Sequence, residues 1–340
     1  MIDYSQYSLW NFCPWAWYER YVGQRALPYT GQRSDPLCLG SLVHNALDNF
    51  SKEGKPYVDD ATMTENNPTK DTYELALMLV HGYLRKYPKE IWPVERAEQP
   101  LRFPLDYDFS GHVNLEGLAK LDGYFYVPED TTINHGIDGS TLTLARGWWA
   151  KEFKTKAHGR NRAEWVKEWQ TKRQADFQIL ALLELLFKKE EPIQGVLVSV
   201  LEKPHEYTPR RKCVKCKDQY DLASFIPQAE GFMCPVCGAV QELSPYIPKV
   251  PKEPSYFRIT VTRTPEQLVV AKNEIQRVAQ AMERMRVEGM DSVLPNRDAC
   301  VNNVHRRECE YHAPHTYGGT TKEDRRYVQI EATKYMGVVV

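Results

Sequence analysis

One stretch of ten residues, WWAKEFKTKA at positions 148–157, limits what this chain can fold into. Its bulky residues are typical of a buried β-strand, yet Glu152 and Lys154 stand in its middle. Successive side chains of a strand point to opposite faces, so these two charged groups share one face about 7 Å apart, with Phe153 on the other. The stretch therefore predicts a sheet that holds a charged site.

A further acidic residue, Asp122, stands in the strand-like segment EGLAKLDGYF. If the two strands are neighbours in one sheet, Asp122, Glu152 and Lys154 converge at one edge of it. Two carboxylates a few ångströms apart repel each other unless a cation lies between them, and oxygen ligands suit Mg²⁺ or Mn²⁺. Such an ion with a lysine beside it is suited to phosphodiester hydrolysis. An ordinary surface ion pair is the alternative interpretation.

Charge and hydropathy exclude some classes of protein. The 340 residues have a formal net charge of -1, so a nucleic-acid partner requires a local basic patch. Residues 151–173 hold eight Lys or Arg against three Glu, and residues 202–217 hold six against two. Solvated surface is the alternative for both stretches. With no apolar run of about 18 residues and no signal-peptide pattern, a cytoplasmic protein without membrane contact is expected.

The cysteines predict a metal site. Four of the eight follow the pattern C-x2-C-x17-C-x2-C, which predicts a zinc ribbon with the ligands Cys213, Cys216, Cys234 and Cys237. Four thiolates leave no position for water, so this Zn²⁺ is structural. Unligated buried thiols are the alternative. The adjacent basic residues could bind a phosphate backbone or a partner protein: Arg210, Arg211, Lys212, Lys215 and Lys217.

Hydrophobic periodicity predicts the order of elements. Helices fill the N-terminal part, and an antiparallel meander of strands follows from about 101 to 156. One long helix is predicted over 161–189, with an apolar side formed by Trp165, Trp169, Phe177, Leu180, Leu183 and Phe187. The cysteine block is predicted to be inserted between two neighbouring strands, near 193–204 and 256–264. Thr264, Pro265 and Gln267 predict a capped helix start.

Together these motifs resemble the PD-(D/E)XK nuclease superfamily, in particular RecB-type nuclease domains and the iron–sulfur CRISPR-associated exonucleases. The resemblance covers roughly 4–203 and 256–315, and it is carried by YSLWNFCPWAWYERYV, LGSLVHNALDNF, EGLAKLDGYF, KEFKTK and QADFQILALLELL. It implies an α/β (α+β) protein with a restriction-endonuclease-like core, in which a central mixed sheet is flanked by helices.

The implied domains follow the chain. Residues 1–100 form an N-terminal helical region with Cys13 and the His44 helix, and 101–204 with 251–293 form the nuclease core. Residues 205–250 are the inserted zinc ribbon, and 294–340 are a C-terminal metal-binding segment and tail.

The resemblance also implies site residues. His44, Asp122, Glu152 and the backbone carbonyl of Phe153 would hold Mg²⁺ or Mn²⁺, and Lys154 would act on the attacking water. Gln178 matches the family's glutamine helix, although Leu182 stands where a tyrosine is usual, and Gln174 is the alternative. Taken without the resemblance, His44 on an apolar helix has a core histidine as its alternative interpretation. An imidazole ligand favours Mn²⁺ relative to an all-oxygen site.

In the iron–sulfur members a [4Fe–4S] cluster closes the fold like a clasp. Its ligands here would be Cys13, Cys300, Cys309 and His315, or His312 in place of the last. One alternative is that these four residues bind zinc. The other is that the cluster has been lost and ordinary side-chain packing takes its place. Cys38 is interpreted as a core thiol.

The function expected from this resemblance is that of a metal-dependent DNA nuclease, an exonuclease or single-strand-preferring enzyme of phage recombination, DNA repair or CRISPR adaptation. Phosphate contacts are expected from Arg160, Arg162, Lys172 and Arg173. Trp165 and Trp169 either stack on bases or pack in the core. Because no Walker A motif is present, a helicase or another motor is an expected partner. The alternatives are a scaffold that holds DNA ends, and a chain recruited to other machinery by its zinc ribbon.

Overall fold

The computed structural model describes residues 1–26, 35–88, 100–107, 111–135, 140–157, 161–204, 210–217, 219–221, 226–228, 230–241, 253–293 and 328–329. The chain divides into two compact units. The larger unit consists of Met1–Thr155, Asn161–Leu201 and Tyr256–Val340. The smaller unit consists of Lys156–Arg160 and Glu202–Ser255.

The helices of the described residues belong to the larger unit. They are α1 (Tyr4–Phe12), α2 (Pro14–Trp17), α3 (Asp35–Glu53), α4 (Asp60–Asn66), α5 (Lys70–Lys86), α6 (Arg162–Thr171), α7 (Arg173–Leu185) and α8 (Pro265–Glu288), with a π-helical turn at Tyr18–Val22 and a 3₁₀ turn at Met290–Ser292. The predicted cap of α8 is confirmed, because Thr264 and Gln267 form a reciprocal capping box. In the part of the chain that is described, none of the helices combines the length and hydropathy needed to cross a bilayer.

The strands of the smaller unit have two or three residues, whereas the longest strands, β8 and β9, have ten. They are β1 (Ile2–Asp3), β2 (Arg25–Ala26), β3 (Pro100–Tyr107), β4 (Val113–Lys120), β5 (Gly123–Val127), β6 (Thr131–Asn134), β7 (Thr141–Leu144), β8 (Gly147–Lys156), β9 (Ile193–Glu202), β10 (Arg210–Lys212), β11 (Gln219–Asp221), β12 (Ile226–Gln228), β13 (Gly231–Met233), β14 (Val240–Gln241), β15 (Ser255–Thr262) and β16 (Val328–Gln329).

The central sheet has four strands in the order β15-β9-β8-β5 and is mixed. β5 and β8 are antiparallel. β8 and β9 begin side by side, because the Trp148 N–H donates to the Pro192 carbonyl over 2.8 Å, as in parallel strands. A Cβ at Gly195, early in β9, would lie 2.3 Å from the carbonyl oxygen of Val261, late in β15, so these two strands are antiparallel. β9 and β15, which flank the cysteine block in sequence, are therefore neighbours, as predicted.

The antiparallel meander predicted over 101–156 is wrong. β3 and β4 pair with each other and with β1 in a separate three-stranded sheet, β6 and β7 form a hairpin, and β5 and β8 belong to the central sheet. The chain changes sheets between β4 and β5, at Leu121 and Asp122. Alternation of apolar residues identifies a strand but not its partner, since half-buried strands of both sheets have the same period.

Helices cover both faces of the central sheet. Val196, Val198 and Val200 pack with residues of α6 and α7, including Trp165 and Trp169. On the opposite face, Phe153 and Leu201 pack with α3 and α5. Burial of an apolar side chain contributes roughly 1.5–3 kcal/mol, so these two layers hold the sheet between them.

The single helix predicted over 161–189 is also wrong. It is broken at Lys172, whose backbone is extended (φ -73°, ψ 123°), into α6 and α7. Phe177 and Leu180 of α7 are buried as predicted. Leu183 of α7 and Phe187, which lies beyond the end of that helix, were predicted on the apolar side but are 40% and 81% exposed.

Candidate functional site

Strand pairing brings Asp122 next to Glu152. Gly123 of β5 is opposite Lys151 of β8, so the preceding residue, Asp122, lies beside Glu152 in the antiparallel register. Asp122 Oδ2 accepts a hydrogen bond of 2.7 Å from the Phe153 backbone N–H. This bond fixes the Asp122 carboxylate to the strand that carries Glu152 and Lys154.

Helix α3 adds a histidine to this pair. His44 Nδ1 lies 3.0 Å from Asp122 Oδ1, and both side chains are partly exposed. Burial lowers the pKa of His44, but the Asp122 carboxylate raises it by more. Burial likewise raises the pKa of Asp122, but His44, Lys154 and the Phe153 N–H together lower it by more. The imidazole and the carboxylate thus stabilise each other's charged form.

Glu152 is held by three side chains. The side-chain amide Nε2 atoms of Gln174 and Gln178 donate to its two carboxylate oxygens over 2.8 and 2.5 Å, and the Lys154 ammonium pairs with the same group. Glu152 is 2% exposed. Burial and the nearby Asp122 carboxylate raise the pKa of Glu152. Burial lowers the pKa of Lys154, but Glu152 and Asp122 raise it by more.

Both glutamines of α7 contact the site, although the sequence offered them as alternatives. They are four residues apart and so lie on one face of the helix. Gln178 Oε1 is buried and has no hydrogen-bond partner among the described residues. Leu182, which follows Gln178 by four residues, packs in the core and does not extend this row of polar contacts.

The donor set of this cluster fits a hard divalent ion. An imidazole and two carboxylates are ligands that Mn²⁺ and Mg²⁺ accept. Two carboxylates face a cationic lysine and an imidazole, so the site already balances negative charge with positive charge. Because Glu152 is turned to its glutamines and Asp122 to His44, a shared ion requires some of these side chains to rotate.

The basic residues predicted to contact phosphate have different surroundings. Arg160 lies outside the described residues. The Arg162 guanidinium is 5.3 Å from the Phe257 ring centre, and the Lys172 ammonium is 4.7 Å from that of Trp169. Arg173 pairs with Asp176 and Glu274, so its charge is offset within the fold.

The two tryptophans of α6 belong to the core. Trp165 and Trp169 are 6% and 1% exposed and pack against the central sheet. Base stacking requires an accessible ring face. Of the two interpretations, core packing is therefore the one that agrees with their burial.

The four cysteines of the smaller unit form a compact group. All four Sγ atoms lie within 4.8 Å of one another, and this is the one group of three or more Cys, His, Asp or Glu ligand atoms that meets this spacing in the described part of the chain. The Sγ atoms of Cys213 and Cys237 are 3.5 Å apart, and those of Cys216 and Cys234 are 3.9 Å apart. These thiols could hold a metal such as zinc or an iron–sulfur group.

Local backbone geometry prepares the first of these thiols for metal binding. The backbone N–H of Cys216 donates a hydrogen bond to the Cys213 sulfur. This bond is the main reason that the pKa of the Cys213 thiol is lowered to about 6. The Lys215 N–H also points at the Cys213 sulfur, over 3.4 Å. A lower thiol pKa favours the thiolate, which is the form that binds a metal.

Of the predicted iron–sulfur ligands, the structure describes only Cys13. Cys13 is buried at the junction of α1 and α2. Cys300, Cys309, His312 and His315 lie outside the described residues. Cys38 is buried in the cluster between α3 and α5, where its Sγ is 3.9 Å from the Asn66 carbonyl oxygen, as expected of a core thiol.

Comparison with known proteins gives little beyond this geometry. No family model matches the chain, and no curated protein matches it. Among solved structures, it is similar to a crystal structure from Eubacterium rectale that carries a provisional name as an exonuclease, with 14% identity, 90% of this chain and 88% of that chain covered, and a TM-score of 0.46.

Proposed function

We propose that the protein is a divalent-metal-dependent nuclease that hydrolyses phosphodiester bonds in DNA. One observation carries this proposal: Asp122 and Glu152 lie side by side across β5 and β8, with His44 on one carboxylate and Lys154 on the other. A cluster of four charged groups, in which Glu152 is almost fully buried and the others are partly exposed, is costly for a purely structural role. Titratable groups that shift one another's pKa in this way are typical of functional sites.

Each residue has a distinct role in this proposal. His44, Asp122, Glu152 and the Phe153 carbonyl would hold Mg²⁺ or Mn²⁺, which supplies an activated water and offsets charge on the phosphate. Lys154 donates a hydrogen bond to the attacking water or to the phosphate oxygen that gains charge. The two α7 glutamines orient Glu152 through its two oxygens.

The finer assignment is an exonuclease or a single-strand-preferring enzyme in phage recombination, DNA repair or CRISPR adaptation. A separate helicase or other motor would open duplex DNA, since the chain has no Walker A motif. This part of the proposal is supported by the motif order in the sequence.

The experiment that tests the function uses the purified protein with single- and double-stranded DNA labelled at either end. We expect release of label with Mn²⁺ or Mg²⁺ and none with EDTA. Binding of DNA without cleavage in either metal would contradict the proposal and favour a DNA-end-binding scaffold. Which labelled end is released first gives the polarity.

We also propose that the four-cysteine group holds structural Zn²⁺. With Zn–S bonds of about 2.3 Å, a tetrahedral site places its sulfurs about 3.8 Å apart. The two separations of 3.5 and 3.9 Å agree with a single tetrahedral ion. A four-iron cube holds its thiolates farther apart, because each sulfur binds a different corner.

His44 gives the first prediction, which concerns metal preference. The wild type should be at least as active with Mn²⁺ as with Mg²⁺, since an imidazole nitrogen favours Mn²⁺. His44→Ala should remove that preference, measured as the ratio of initial rates in the two metals. His81→Ala, which changes an exposed histidine of α5, is the control. An unchanged ratio in His44→Ala would exclude the imidazole as a ligand.

Lys172 gives the second prediction, which concerns the phosphate backbone. Its ammonium lies over the Trp169 ring, and the Lys154 ammonium lies 5.7 Å from the same ring centre. We propose that Lys172 contacts a phosphate next to the scissile one.

Lys172→Gln should therefore raise KM and lower the slope of log KM against log salt by about 0.7 for single strands. Lys151→Gln is the matched control, because Lys151 lies over Phe153 on the opposite face of β8. Equal salt slopes for Lys172→Gln and Lys151→Gln would rule out the Lys172 contact.

A further inference from the structure

A buried acid of α7 has no part in the proposed chemistry. Asp176 is 0% exposed and stands midway between Gln174 and Gln178 in sequence. Two residues along an α-helix turn a side chain by about 200°, so Asp176 lies on the opposite face from the two glutamines. Helix α7 thus has a Glu152-binding face and an acidic anchor on its back.

Asp176 is held by two arginines. Arg263, in the turn between β15 and α8, donates from Nε to Asp176 Oδ1 over 2.6 Å, and Arg173 donates from Nη1 to Oδ2 over 2.9 Å. Arg173 also pairs with Glu274 of α8, which accepts a hydrogen bond from the Tyr7 hydroxyl of α1. We call these residues the Asp176 network: Tyr7, Arg173, Asp176, Arg263 and Glu274.

This network connects α7 with α1, with α8 and with the turn that precedes α8. Buried ion pairs contribute little net stability compared with apolar packing, but their geometry is specific. The N-cap residue of α7, Lys172, makes no side-chain capping hydrogen bond. In the first turn of α7, Arg173 and Asp176 make the ion pairs of the network, and any rotation of α7 would move both glutamine amides relative to Glu152.

We propose that Asp176 is a positioning residue, held by Arg263 and Arg173, that sets the Gln174 and Gln178 amides on Glu152 and so fixes the metal-binding carboxylate. The inference rests on the proposed function and names residues that the proposed chemistry does not include. Loss of supporting residues around a metal site commonly lowers metal affinity or activity by about 10–100-fold.

The test is a double-mutant cycle read by Mn²⁺ affinity, measured from the EPR signal of free Mn²⁺, and by kcat on DNA. Asp176→Asn should weaken Mn²⁺ binding and lower kcat by about 10–100-fold, with KM for DNA little changed. In a Gln174→Ala/Gln178→Ala background the same change should have almost no further effect, because the groups through which it acts are gone. An equal loss in both backgrounds, or a rise in KM alone, would overturn the proposal.

Two more variants separate positioning from a general loss of stability. Arg263→Lys keeps a positive charge at Asp176, and it should give a smaller loss with the same non-additivity if Asp176→Asn does not fold. Leu182→Ala removes core packing from α7 but leaves the network intact. It should lower Tm without changing Mn²⁺ affinity, and a matching loss of affinity in Leu182→Ala would refute the positioning role.

The readouts also distinguish the two levels of the proposal. Wild-type protein that binds Mn²⁺ but does not cleave DNA contradicts the nuclease function, while the affinity cycle still decides the role of Asp176. Wild-type protein that cleaves DNA, with additive losses in the cycle, overturns the positioning role alone.

Discussion

Asp122→Asn is expected to lower metal-dependent DNA cleavage by roughly 10³-fold while the fold is retained. The change removes one negative charge but keeps the size of the side chain and an oxygen for the Phe153 N–H. It removes the anionic partner of His44 and one of the two carboxylates that would hold the ion. The loss should appear in kcat, because the ion acts mainly on charge that develops in the transition state.

The measurement compares initial rates on end-labelled DNA at saturating Mn²⁺ and Mg²⁺. Lys154→Ala should show a comparable loss, since its ammonium pairs with Glu152 on the same face of β8. Lys151→Ala is the matched control on the other face and should stay close to wild type. Equal rates for wild type, Asp122→Asn and Lys154→Ala would mean that cleavage arises at another site or from a contaminant.

Removal of metal from the four-cysteine group should unfold the smaller unit and leave the larger unit folded. In the described residues, the apolar cluster of the smaller unit is centred on Cys213 and Cys234, with Phe232 and Ala239 beside the cysteines. So small a core contributes little folding free energy, whereas structural zinc can contribute about 10 kcal/mol. The metal is thus expected to decide whether this unit folds.

Hydrogen exchange with and without a chelator measures this effect. Amides of 210–241 should lose protection when the metal is removed, and those of β8 and β9 should keep it. The wild type should contain one zinc ion per chain. Cys234→Ser should lower this zinc content, whereas Cys38→Ser, which changes a buried thiol of the larger unit, should leave it unchanged. A smaller unit that stays protected without metal would show that apolar packing alone folds it.

Local sequence pattern was sufficient to predict the strand that carries Glu152 and Lys154 and the group of four cysteines. The alternation around Glu152 and Lys154 placed both on one face of β8, and the two C-x2-C pairs come together as their spacing predicts. The capping box of α8 was also readable, because its two hydrogen bonds join residues three apart. In each case a few consecutive residues hold the whole signal.

Features that depend on contacts between distant parts of the chain could not be predicted from local sequence pattern. The break at Lys172 separates two segments that each have good helical periodicity, so nothing local marks it. The switch of sheets at Asp122 depends on which strands pair. Asp176 meets Arg263, 87 residues away, and Arg173 meets Glu274, 101 residues away, so no spacing could indicate the network.

The roles of the α7 glutamines show the same limit within one helix. A motif with one glutamine made Gln174 and Gln178 alternatives, whereas Glu152 has two oxygens and accepts one hydrogen bond from each. Because the Glu152 carboxylate has two acceptor oxygens, it can accept a hydrogen bond from both glutamine amides, which a motif with a single glutamine does not indicate.

The most direct test of the metal site is anomalous diffraction from crystals grown with Mn²⁺. A single ion should bind the His44 imidazole and the carboxylates of Asp122 and Glu152, at oxygen distances of about 2.1–2.2 Å, with Lys154 moved off Glu152. Manganese bound at another place, or Asp122 and Glu152 found on separate ions, would contradict the site on which the proposed hydrolysis depends.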